Sequence, residues 1–143
     1  MNVRKVFIDT NVFDDFFVNG PAANETEIIL EFIRRKMIMG CTSPKTLMDV
    51  YYLFHSEKGQ AEANKHIRRI YGLMELTSQG PAEVRDAFAL GWSDFEDAMQ
   101  MASAKNSHAD KIITLDKKFR NKDSSYIWTP SDLKSFLVQN MKK

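Results

Sequence analysis

Apolar positions along the chain change their period several times, and each change marks an element. Val6, Phe7 and Ile8 form a short continuous apolar run, the pattern of a buried strand over Lys5–Ile8. After the turn residues of "NGPAAN", Ile28, Ile29, Phe32 and Ile33 recur at helical spacing and predict a helix from about Glu25 to Lys36. "MIMGCTS" then reads as strand. "SPKTLMDVYYLFH" predicts a helix with Ser43 as N-cap and Pro44 at its first position, its apolar face made by Leu47, Val50, Tyr51 and Phe54. Gly59 interrupts, and "QAEANKHIRRIYGLM" resumes a helix. "LMELTS" is a short strand, and "GPAEVRDAFALGW" a helix led by Gly-Pro. "SDFEDAMQMASAKN" carries a capping-box pattern, with Ser93 as cap and Glu96 at the third position. "KIITLD" is a second apolar strand, "SYIW" a short last one, and "TPSDLKSFLVQN" a closing helix with Pro130 near its start. After Ile8 the three phenylalanines of "VFDDFF" exceed what a first-turn loop needs, and "FDDFFVN", like the aromatic-rich "DVYYLF" helix, reads as interface material.

Strands alternating with helices predict an α/β sandwich of three layers with a mostly parallel sheet. In such sheets, sites form beyond the carboxyl ends of the strands. Asp9 follows "VFI" and Asp116 follows "IITL", so both strands end in a carboxylate where this architecture puts chemistry.

Bulk properties narrow the picture. The 143 residues suit one compact domain spanning 1–143. The single cysteine, Cys41, excludes an intrachain disulfide framework and, with no signal-peptide pattern, fits a reducing cytoplasm. No apolar run approaches the roughly 18 residues of a membrane span. Net charge is +1, but four acids withdrawn into one site would leave a mildly basic body suited to a polyanion.

Asp49 interrupts the apolar stretch "LMDVYYLF". A carboxylate buried there alone would cost several kcal/mol, so Asp49 points to water, pairs with a cation, or faces a polar cleft. Asp94 and Asp97 share one helix face, and Asp94 also suits compensation of the helix dipole. Asp9, Asp49, Asp97 and Asp116 come from four separate elements. Each like-charged pair at ~4 Å costs about 4 kcal/mol at an effective dielectric of ~20, so a cluster persists by raising its pKa values or by holding a cation. The candidate ligands are all oxygens, and His55, His66 and His108 are scattered, which selects Mg²⁺ or Mn²⁺ over zinc. No glycine-rich phosphate loop is present. Thr10 and Asn11, beside the first acid, are able to fix a carboxylate or an ion's water; Asn11 is equally a turn former.

"VFIDTNVF", the acid within "SPKTLMDVYYL", "DFEDAMQMASAKN" and "ADKIITLDKKF" occur in that order, and together they resemble the PIN domain family from about Val6 to the "TPSDLKSFL" tail. The resemblance implies a parallel sheet of four or five strands between helices. It also implies an Mg²⁺- or Mn²⁺-dependent ribonuclease and, as in small VapC-like members, the toxin of a type II toxin–antitoxin pair that forms homodimers. By resemblance Asp9, Asp49, Asp97 and Asp116 are the catalytic acids, and Asp9, Asp97 and Asp116 are the metal ligands. Asp49 stands where the family usually has Glu, Asp94 assists on the helix of Asp97, and Asn11 matches the polar position after the first acid. RNA would lie across the cleft, steered first by Lys117, Lys118, Arg120 and Lys122, then by Arg34, Arg35 and Lys36. Ordinary solvated charge is the plainer account of both groups. Tyr51, Tyr52 and Trp92 are candidates for base stacking, or for packing. A small antitoxin would cover the acids with its C-terminal segment. Two rival readings are a catalytically weak PIN-like module that binds RNA or protein, and a phosphatase with an aspartate nucleophile. The phosphatase wants a second acid at the position that Asn11 holds.

Overall fold

A computed structural model describes residues 2–141. Among these, β1 (Lys5–Ile8), β2 (Met39–Thr42), β3 (Glu75–Leu76), β4 (Lys111–Ile113) and β5 (Ile127–Trp128) form one sheet in the order β3-β2-β1-β4-β5. Every neighbouring pair is parallel. The helices are α1 (Thr10–Phe17), α2 (Ala23–Arg34), α3 (Pro44–Lys58), α4 (Gln60–Leu73), α5 (Pro81–Ala89), α6 (Phe95–Asn106), α7 (Lys117–Arg120) and α8 (Pro130–Met141). None of them is long and apolar enough to cross a membrane.

The alternation of β1 divides the interior into two layers, because successive side chains of a strand point to opposite faces. Val6 and Ile8 pack with residues of α1, α2, α3, α4 and α8, among them Phe13, Ile29, Val50, Ile70 and Leu133. Phe7 packs on the other face with Cys41, Ile112, Ile127, Met101 of α6 and Phe119 of α7. α5 joins that layer through Ala87 against Ala98 and Ala102. Burial pushes the Cys41 thiol up to about 12, which keeps it inert. The α3–α4 hairpin turns at Gly59, whose φ of 93° suits a residue without Cβ.

The strand order places a topological switch between β1 and β4, since the chain steps outward to β2 and β3 on one side and to β5 on the other. A crevice opens beyond the carboxyl ends at such a point. Asp9 follows β1 directly, and Asp116 lies just past β4.

Three departures from the sequence reading bear on the site. The supposed loop after Ile8 is helix α1, capped by Asp9, whose side chain accepts from Thr10 N. Its phenylalanines are used internally: Phe13 is buried, Phe16 and Phe17 pack against the core, and Phe17 stacks on His66 at 4.0 Å. The basic segment after Asp116, where the pattern predicts no element, is the one-turn helix α7, capped by Asp116 through Lys118 N and Phe119 N. Finally, α6 is capped by Asp94 and not by Ser93, with Asp97 N donating to its carboxylate at 3.0 Å. That register puts Glu96 one position short of a capping box and sets Asp97 in the first turn.

Candidate active site

A cleft of about 210 Å³ opens at the switch point, lined by Asp9, Thr10, Asn11, Asp14, Lys45, Asp49, Glu96, Asp97, Gln100 and Asp116. The acids arrive on different elements: Asp9 from the end of β1, Asp49 from α3, Asp97 from α6, and Asp116 from the cap of α7.

Asp9 is the most buried of them, at 8% exposed. Its Oδ1 accepts from Thr10 N at 2.9 Å and from Gln100 Nε2 at 2.9 Å, and its Oδ2 accepts from the Thr114 hydroxyl at 2.9 Å. Burial raises its pKa, and these hydrogen bonds, with the charge of Lys45, oppose the rise without cancelling it. Thr114 is itself fixed, accepting from Asn11 Nδ2 and from Asp116 N, each at 3.1 Å. Asn11 therefore touches Asp9 only through Thr114, and its Oδ1 takes Leu115 N at 2.9 Å, tying the start of α1 to the end of β4.

Gln100 organises the opposite wall. Its Nε2 also lies 3.2 Å from Thr46 Oγ1, and its Oε1 accepts from Ser43 Oγ at 2.7 Å. Thr10 Oγ1 is within reach of Thr46 Oγ1 and of Asp49 Oδ2, at 3.1 and 3.4 Å. Asp49 pairs with Lys45 one turn earlier on α3, and Lys45 Nζ also stands 3.5 Å from Glu96 Oε2.

Asp97 is pushed up to about 6 by burial, then by the charges of Asp94, Asp116, Asp9 and Glu96. Asp14 is likewise pushed up to about 6, by burial and by Asp49, Asp9 and Glu57, and its buried Oδ1 has no hydrogen-bond partner among the described residues. The acids face one another across the cleft. Among the described residues, however, no three acidic, histidine or cysteine side chains gather tightly enough to hold an ion between them. The donor set still fits a hard divalent cation. It offers carboxylate oxygens with no thiol or imidazole beside them, and one carboxylate oxygen is orphaned.

Other candidates lie elsewhere. Asp94 is engaged as the α6 cap and borders a shallow hollow with Ser93, Phe95, Glu96 and Lys118. Lys117 and Lys118 are exposed on α7, whereas Arg120 is half-buried and pairs with Asp132 at 3.5 Å. Arg34 and Arg35 pair with Glu31, and Arg34 and Lys36 border a groove with Met39 and Glu75 at the amino ends of the strands, opposite the acids. Tyr51 stacks on His55, Trp92 packs against Phe119, and Tyr52 is exposed.

Sequence reasoning passed over Asp14, Lys45, Glu96, Gln100 and Thr114. Gln100 had a signal, since it lies three residues after Asp97 on the same helix face. Asp14 lies four residues after Thr10, but that spacing carries meaning only once α1 is known to be a helix. Its charge has a measurable cost. The folded state holds a proton on Asp14 up to about pH 6, above the ordinary 3.8, so this contribution to stability falls as pH rises through that window. In chelator at about pH 7.5, Asp14→Asn is expected to raise stability by about 1 kcal/mol, discounted for the half-open carboxyl, and the gain should vanish near pH 4. Thermal unfolding at both pH values checks this.

Comparison with known proteins bears on the fold and the family. The PIN domain family model matches residues 5–118. Ribonuclease VapC1 of Aquifex aeolicus is 27% identical over 135 residues, covering 90% of this chain and 93% of that protein. Among solved structures, Mycobacterium tuberculosis VapC20, a toxin that cleaves the sarcin-ricin loop, superposes with a TM-score of 0.65 at 13% identity, over 82% of this chain and 95% of the other. VapBC2 of Rickettsia felis, bound to a promoter DNA fragment, gives a TM-score of 0.67 at 12% identity, over 87% and 96%. The solved structures share the fold of this chain, and the family match spans every strand from β1 to β4 and the acids from Asp9 to Asp116. The chain belongs to the PIN domain family.

Proposed function

We propose that this protein is a divalent-metal-dependent endoribonuclease that hydrolyses RNA phosphodiester bonds, and that it is the toxin of a toxin–antitoxin pair. The observation that carries this reading is the cleft itself. Carboxylates from four separated elements face one another at the switch point of a parallel sheet, Asp9 with its pKa raised by burial and Asp97 with its pKa raised by burial and by the charges of neighbouring acids. A structural role does not call for such an arrangement, and a cation relieves it. The Aquifex relative named as a ribonuclease, and the VapC toxin whose fold this chain shares, support the reaction class.

Asp9, Asp97 and Asp116 would hold Mg²⁺ or Mn²⁺, with Asp49 opposite them. When bound, the ion supplies Lewis acidity toward a phosphodiester oxygen and eases the ionisation of water. Asp9 is kept in one orientation by Thr10 N, Gln100 and Thr114, so it would present a fixed carboxylate to the ion. In the metal-free cleft burial and neighbouring acids push Asp97 up to about 6, and a bound cation would favour its ionised form. Thr10 orients Asp49, and the exposed ammoniums of Lys117 and Lys118 draw the RNA backbone toward the rim. The chain would act in the cytoplasm as a homodimer with a small antitoxin as its partner. Exposed Met48 and Tyr52 on α3, and the Phe88–Phe95 ring pair at 5.0 Å, are apolar surface for such contacts.

Incubation of total RNA with the protein tests the reaction: cleavage with Mn²⁺ or Mg²⁺ and none in chelator is expected. Cleavage that persists in chelator overturns the metal requirement. Metal-dependent RNA binding without cleavage would leave the weak-module reading in its place. Replacing Lys117 and Lys118 together with serine should weaken RNA binding about tenfold and reduce the slope of log affinity against log salt by about 1.4, as expected for two lost single-strand phosphate contacts. An unchanged slope removes α7 from the footprint.

A further inference from the structure

Lys45 sits inside the acidic cleft with its side chain only 26% exposed. Local helix chemistry argues against a cation there. Ser43 caps α3 and Pro44 opens it, so Lys45 occupies the second helical position, at the positive end of the helix dipole. The i,i+4 pair it makes with Asp49 runs in the less favourable order, base before acid. The rest of the fold nevertheless holds this turn in place. Lys45 N donates to Gln79 Oε1 at 3.0 Å, and Gln79 Nε2 reaches Ser103 Oγ at 3.0 Å and Gln100 Oε1 at 3.4 Å. The ammonium lies between Asp49 and Glu96, and its charge acts on Asp9. A violated local rule held in place by tertiary hydrogen bonds marks a position kept for function.

We propose that Lys45 is the resident counterion of the cleft. It holds Asp49 while no divalent ion is bound, yields that carboxylate when an ion arrives, and transfers its ammonium to a non-bridging oxygen of the RNA phosphate. Ion and phosphate therefore load together, each favouring the other. The inference deepens the ribonuclease reading of the same cleft and rests on it. No covalent step is involved; one ion pair is exchanged for another.

The test measures Mn²⁺ binding to the protein alone by calorimetry. It then measures binding of a phosphorothioate RNA oligonucleotide by fluorescence anisotropy, with and without Mn²⁺. Lys45→Met keeps the aliphatic stem and removes the charge; Lys45→Arg keeps the charge. Lys45→Met should bind Mn²⁺ more tightly by on the order of tenfold, because a like charge beside the ion is gone. Its oligonucleotide affinity in Mn²⁺ should fall by a similar factor, and the coupling between the two ligands should shrink to the part that the ion's own attraction for the phosphate supplies. Lys45→Arg should resemble the unmutated chain in all three. Unchanged or weaker Mn²⁺ binding by Lys45→Met overturns the counterion role. Tighter Mn²⁺ binding with undiminished coupling overturns the transfer to phosphate. If the unmutated chain binds no Mn²⁺, both this inference and the metal-dependent reading fall. If the Mn²⁺ shifts appear but the unmutated chain cleaves no RNA, only the ribonuclease reading falls.

Discussion

Asp97→Asn is expected to lower RNA cleavage by on the order of 10²–10³-fold while leaving the fold intact. The substitution keeps size and shape and removes one negative charge from the first turn of α6. Asp97 donates only its backbone N–H to the Asp94 cap, a bond that asparagine retains. Among the described residues no side-chain hydrogen bond depends on its carboxylate, in contrast to Asp9, which takes three. The folded chain even gains, since the charge that burial and four neighbouring acids disfavour is gone. The expected signature is therefore a split: cleavage collapses, Mn²⁺ binding weakens, and the melting temperature in chelator at about pH 7.5 is unchanged or slightly higher. Loss of activity accompanied by loss of stability would make Asp97 a structural residue. Undiminished cleavage would remove it from the reaction.

The division between what the sequence disclosed and what it hid follows physical lines. Strand β1 was legible to the residue because a continuous apolar run bounded by a charge has few readings, and α3 was legible from Ser43 and Pro44. Helix α1 was hidden because its signal overlaps that of the strand before it. Asp9 ends one element and caps the next with no turn between them, and Thr10 to Phe17 spans barely two turns. In the same way, α7 is too short for periodicity and is set only by the Asp116 cap. Of the site, the acids at strand ends were readable because parallel sheets place clefts there. The residues that aim them were not, because Gln100, Thr114 and Lys45 act through contacts between positions distant in the chain. Helical spacing brings Gln100 onto the face of Asp97, yet nothing in the sequence says that its amide meets Asp9, 91 positions away. The Ser93 reading failed by one residue because serine and aspartate cap equally well, and only the tertiary position of α6 chooses between them.

Gln100→Glu should destabilise the protein in chelator at about pH 7.5 by about 3 kcal/mol, a fall in melting temperature of roughly 6–12 °C for a chain of this size. Gln100 is 2% exposed and makes both kinds of hydrogen bond: Nε2 donates to Asp9 Oδ1 at 2.9 Å, and Oε1 accepts from Ser43 Oγ at 2.7 Å. Glutamate fits the same space and keeps the acceptor, but it turns the donor into an oxygen aimed at a carboxylate oxygen. Two buried carboxylates at that separation cannot both ionise, so the pair must retain a proton that the unfolded chain releases near pH 4. A folded-state pKa raised in this way makes stability fall as pH rises through the window between the unfolded and folded values. The deficit should therefore be small near pH 4.5, where the shared proton is held in any case, and fully present at neutral pH. Divalent ions should reverse part of it, by binding the folded form alone and supplying the positive charge that the pair lacks. Melting curves across pH, with and without Mn²⁺, measure all three effects. If Gln100→Glu melts with the unmutated chain at neutral pH in chelator, the amide does not hold Asp9, and the preorganisation assigned to this wall of the cleft is wrong.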